Sequence, residues 1–75
     1  MNTNTRKFGY EIRVRGHLDP HWGAWFEGWT ITNLGNGEAL LRNTKVDQPG
    51  LHRALNKIRD LSLALISVVC IPAES

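Results

Sequence analysis

Apolar residues recur at every second position in some stretches of this chain and at every third or fourth in others, and the changes of period outline its elements. From Phe8 to Val14, the residues Tyr10, Ile12 and Val14 fall on one side of an extended chain and Glu11, Arg13 and Arg15 on the other, which predicts a half-buried first strand. Gly16-His17-Leu18-Asp19-Pro20 interrupts it. Asp19 before Pro20 has the form of a helix N-cap with proline at the first helical position. A short helix is predicted from there, with Trp22, Trp25 and Phe26 on one face and Gly28 as the left-handed residue that stops it.

Trp29 to Asn33 has the β-propensity of a second strand, and Leu34 to Glu38 contains the Asn36-Gly37 pair that favours a tight reversal. A third strand is predicted over Glu38 to Arg42, and Asn43 to Val46 bridges into the best-marked element. There Leu51, Ala54, Leu55, Ile58 and Leu61 recur at helical spacing, with His52, Arg53, Asn56, Lys57, Arg59 and Asp60 opposite. Asp47 is the N-cap, Pro49 lies in the first turn, and Val46 and Leu51 form a hydrophobic staple. The β-branched run Leu65 to Ile71, ended by Pro72, predicts a last strand.

The order β-α-β-β-α-β predicts an α+β, ferredoxin-like domain, an antiparallel sheet with a short and a longer helix on one face and the other face open. The last strand is apolar on both alternating sets, with Leu65, Val69 and Ile71 on one side and Ile66, Val68 and Cys70 on the other, so something should cover the open face. Because closed two-fold dimers are the commonest soluble oligomers, a homodimer is the expected cover, with Ile66, Val68 and Cys70 as its interface.

Composition narrows the picture only modestly. At 75 residues, a single small domain spanning residues 8–75 behind a flexible polar leader, residues 1–7, leaves self-association as a natural supplement to a small core. A content of 41% hydrophobic and 21% charged residues argues against wholesale disorder. The lone Cys70 cannot form an internal disulfide, which points to a cytoplasmic protein. The apolar runs are too short to span a bilayer, so no membrane association is expected. The formal charge of +2 comes from scattered residues, which permits an anionic ligand without requiring one.

The segments Tyr10 to Gly28 and Val46 to Val68 resemble a family of small uncharacterised bacterial proteins sharing G-H-L-D-x-x-W-x-x-W-F and D-Q-x-x-L-H-x-x-L-x-x-I-R-D-L patterns. This chain carries Ser62 where that family pattern generally has the glycine that ends the helix, and Ala64 where it often has proline. Serine in a left-handed C′ position costs strain, so a softer helix end is expected. The resemblance supports the fold and implies no activity.

Three groups of side chains could carry function. His17-x-Asp19-x-His21 has the composition of a zinc site, with His52 as a conceivable fourth ligand, but Asp19 is engaged as an N-cap and no metal is assigned. Trp22, Trp25, Phe26 and Trp29 could line a pocket with His17, His21 and Trp22 at its mouth, although packing alone accounts for Trp25 and Phe26. Glu11, Arg13 and Arg15 on the open face could bind a small anion through the two arginines, or serve as a salt-bridge row.

No nucleophile-base pairing or nucleotide loop is present in the spacing, and no motif calls for a cofactor. The leading expectation is a small cytoplasmic, self-associating interaction or ligand-sensing module without catalysis. The competing one is a cofactor-free enzyme or small-molecule-binding protein with its pocket between short helix and sheet. An RNA-binding module ranks last, since nucleic acid needs stacking aromatics that the first strand lacks on its open side.

Overall fold

The alternation that begins at Phe8 becomes strand β1, Phe8–Arg15, and the staple and cap at Val46 and Asp47 become the start of helix α1, Gln48–Asp60. Between and after them lie β2, Thr30–Asn33, β3, Glu38–Val46, and β4, Ala64–Ile71. The computed structural model describes residues 8–71, so the expected leader and residues 72–75 lie outside the described residues. The four strands form one sheet in the order β2-β3-β1-β4, and each neighbouring pair is antiparallel. Among the described residues the architecture is therefore α+β with one α-helix.

The helix is bounded as its sequence signals require. Asp47 Oδ1 accepts the Gly50 N–H at 2.9 Å, and the staple residues Val46 and Leu51 are both buried. At its other end the Ser62 N–H donates to the Arg59 carbonyl and the Leu63 N–H to the Ile58 carbonyl, the two bonds of a Schellman motif. Ser62, with φ 59°, is the C′ residue, and it is the one non-glycine with positive φ among the described residues.

The short helix expected after Asp19 is not formed. Pro20–Gly23 makes a single 3-10 turn, after which the N–H groups of Trp25 and Phe26 both donate to the Trp22 carbonyl. Glycine at position 23 and bulky aromatics beyond it propagate a helix poorly, and two turns are too few to offset nucleation. Gly28, at φ 89°, then redirects the chain into β2. The ferredoxin-like expectation of two helices is corrected accordingly: one crossover is helical and the other is an aromatic loop.

One strand reading also changes, while the expected tight reversal at Asn36-Gly37 is present. β3 runs through Asn43 to Val46 instead of ending at Arg42, because an irregularity in its pairing with β1 absorbs one extra residue, with Asn43 Oδ1 accepting the Lys45 N–H. The reversal before β3 is a three-residue loop in which Gly37, at φ 85°, donates to the Leu34 carbonyl while Leu34 donates to the Glu38 carbonyl.

The core lies on one side of the sheet. Tyr10, Ile12 and Val14 of β1 and Ala39 and Leu41 of β3 meet Leu51, Ala54 and Ile58 of α1, with Leu18 and Phe26 from the β1–β2 connection. That connection is fastened to β2 by a reciprocal pair, since Asn33 accepts the Leu18 N–H and donates to its carbonyl, both at 2.9 Å. Ser62→Gly should raise unfolding free energy by about 1 kcal/mol by removing left-handed strain, read as a higher urea midpoint at unchanged slope. Phe26→Ala should lower it by about 3–5 kcal/mol in the same measurement.

Candidate functional site

Each core residue of β1 stands between a neighbour on β3 and one on β4. Ile12 faces Leu41 and Val68, Val14 faces Ala39 and Leu65, and Tyr10 faces Asn43 and Cys70. Directly opposed residues share a face, so Val68, Cys70 and Leu65 lie on the helix side of the sheet. This corrects the expectation that Val68 and Cys70 belong to the open face. The cause is a bulge: Arg13 pairs with Ser67 and Val14 with Leu65, leaving Ile66 as the extra residue and shifting the alternation on either side of it.

Although the β3 partners Leu41 and Ala39 are fully buried, their β4 counterparts are not. Leu65 is 52% exposed, Ile66 41%, Val68 38% and Val69 47%, and Cys70 is exposed as well. β4 is also an edge strand, with one backbone side unpaired by the sheet. Beside it, the end of α1 and the start of β4 enclose an open groove of about 460 Å³ lined by Leu55, Ile58, Leu63 and Leu65 together with Arg59 and Ser62. Leu63 and Ile58 are the hydrophobic pair of the Schellman motif, so the groove is built by the way the helix ends.

Tyr10 anchors the far end of this edge. Its hydroxyl accepts from Gln48 Nε2 at 3.2 Å, while burial and then the nearby Cys70 thiol push its pKa above the ordinary phenol value.

The histidines do not converge. His17 Nε2 bonds the Leu34 carbonyl at 2.7 Å, tying the loop after β1 to the hairpin, whereas His21 Nδ1 bonds Asp19 Oδ1 at 2.7 Å. Among the described residues no three His, Cys, Asp or Glu side chains gather as metal ligands would. The two hydrogen bonds from His21, first from its backbone N–H and then from its ring, hold the Asp19 carboxyl below its ordinary pKa.

Trp22 belongs to a stepped stack. His21 lies 5.0 Å from Trp22, Trp22 lies 5.2 Å from Trp25, and Trp25 meets Phe26 edge-on at 5.6 Å. Lys57 fastens this stack to α1, its ammonium donating to the Trp25 carbonyl and sitting 5.8 Å above the ring centre. Besides the apolar groove, two polar clefts lie beside this loop, one of about 110 Å³ between Trp29 and Lys57 and one of about 300 Å³ reaching Lys45 and Arg53. None of these three is lined by His17, His21 or Trp22.

On the open face, Glu11 faces Arg42 and the two side chains pair at 3.5 Å, while Arg13 reaches Glu38 at 3.7 Å. Glu38 Oε1 is buried with no hydrogen-bond partner, so Arg13 supplies its nearest compensating charge. Arg15 faces Glu38 and Ala64 in the ladder and has no carboxylate within ion-pair distance among the described residues. The two arginines are thus not a free pair: one is committed across the sheet. The outward residues of the central strands, Glu11, Arg13, Arg15, Glu38, Leu40 and Arg42, include no aromatic ring on which a base could stack.

Among the described residues no helix is long and apolar enough to cross a membrane. A family described as a domain of unknown function, DUF8691, matches residues 9–69, a stretch that contains both the tryptophan-rich and the helix segments. No curated protein and no solved structure matches the chain.

A depressed Asp19 pKa means that its bonds to His21 contribute at pH values above the ordinary carboxylate range and are lost as pH falls through the lowered value. The His21 amide proton shift, followed by NMR, should therefore titrate with a midpoint below that of an unperturbed aspartate. In Asp19→Asn the same titration should be absent.

Proposed function

We propose, for a chain that belongs to the DUF8691 family, that its role is protein–protein contact: a self-associating module, without catalysis, that joins a second copy through β4. The observation that carries this reading is the exposure of Leu65, Ile66, Val68 and Val69 on one edge strand. An edge of this length and apolarity is a template for another strand, and soluble proteins normally blunt such edges with charge, proline or a cover. Within β4 the one polar side chain is Ser67.

The finer fold reading is supported by connectivity. Two crossovers each skip one strand, β1 to β2 past β3 and β3 to β4 past β1, as in a split β-α-β arrangement with its first helix reduced to a turn. The ligand expectation moves with the geometry. The 460 Å³ groove favours an apolar ligand or apolar side chains at the end of α1, rather than an anion at Arg13 and Arg15 or a ligand at His17, His21 and Trp22. In this reading the protein works in the bacterial cytoplasm, where a lone exposed thiol such as Cys70 stays reduced.

Sedimentation velocity tests the proposal. The native chain should sediment as a dimer at tens of micromolar, and Val68→Lys should give a monomer that keeps its far-ultraviolet spectrum. A native chain that stays monomeric throughout would overturn the reading.

A further inference from the structure

The β4 edge restricts how two copies can meet, and the following rests on the self-association proposed above. A rotation that joins two identical edges into one continuous antiparallel sheet must have its axis normal to the sheet, since that rotation reverses strand direction and leaves each face where it was. Both helices then lie on the same side. Opposed residues of antiparallel strands share a face, so a residue of β4 can oppose only partner residues of its own alternation, and one residue must sit on the axis opposite itself.

The stretch able to pair regularly is short and bounded on both sides. The bulge residue Ile66 breaks the alternation before Ser67. Pro72, next after Ile71 in sequence, has no N–H to donate. Five residues remain, Ser67 to Ile71, and their midpoint is Val69.

We infer that two copies of the chain pair β4 against β4 about an axis through Val69, so that Val69 opposes the partner's Val69, Val68 opposes the partner's Cys70 and Ser67 opposes the partner's Ile71. Exposed residues from both faces of the strand then enter the ladder together, Val69 on the open side and Val68 and Cys70 on the helix side. A five-residue ladder is about 17 Å long, and by itself falls short of the about 800 Å² per partner that a stable interface buries. The groove at Leu55, Leu63 and Leu65 adjoins the first residues of the same strand, and apolar contact there beside the ladder is what the second copy must add to reach that area.

Single cysteines in a Cys70→Ser background read the register. Opposed residues bring their Cβ atoms to about 5 Å, whereas two copies of Ser67 would stand about 14 Å apart along the pair. With a thiol cross-linker of about 5 Å reach, Val69→Cys should give covalent dimer, and Ser67→Cys and the opposite-edge control Thr32→Cys should not. A chain that sediments as a dimer but cross-links at Ser67→Cys or Thr32→Cys instead of Val69→Cys overturns this register and leaves self-association standing. A chain that sediments as a monomer overturns both.

Discussion

Four strands spaced about 4.8 Å apart make a sheet about 19 Å wide, and one helix is about 10 Å across. A single helix therefore cannot roof this sheet, and the rest of the structure follows from how the shortfall is met. The β1–β2 connection folds over the same side as α1, with Leu18 and Phe26 buried in the core, Asn33 holding its start and Lys57 holding Trp25. It shelters the β2 and β3 side. Among the described residues nothing equivalent reaches β4, and the boundary falls between the fully buried pair Ile12 and Leu41 and the half-exposed Val68 on the other flank of Ile12.

The elements that were legible in the sequence are those whose cause is local. Asp47, Val46 and Leu51 specify the start of α1 within six residues, and the alternation of Tyr10, Ile12 and Val14 specifies the buried side of β1. Ser62 was legible as a strained helix end because any residue at that point must adopt a left-handed backbone. The aromatic stretch misled for a related reason. Trp22, Trp25 and Phe26 have helical spacing, but a single turn closed on the Trp22 carbonyl and continued by ring-to-ring contacts satisfies the same spacing without a propagated helix.

What lay beyond the sequence was register. A bulge at Ile66 leaves no composition signal, yet it moves Leu65 to the side of Val68 and Cys70 and so decides which apolar residues border the groove. The same holds for charge. That Glu11 would find Arg42 and Arg13 would reach Glu38 depends on the pairing of β1 with β3, and only that pairing turns an apparent basic row into a cross-sheet lattice. The histidines were grouped by proximity in the chain, whereas the hairpin captures one and Asp19 the other.

The opposite rim of the sheet behaves differently. β2 has four residues, Thr-Ile-Thr-Asn, its two threonines are exposed, and Asn33 has both polar atoms occupied by Leu18. A strand so brief and hydrophilic offers poor footing for a further chain. Growth by strand addition is thus open at one rim and blocked at the other, which favours a closed pair and opposes propagation into a filament.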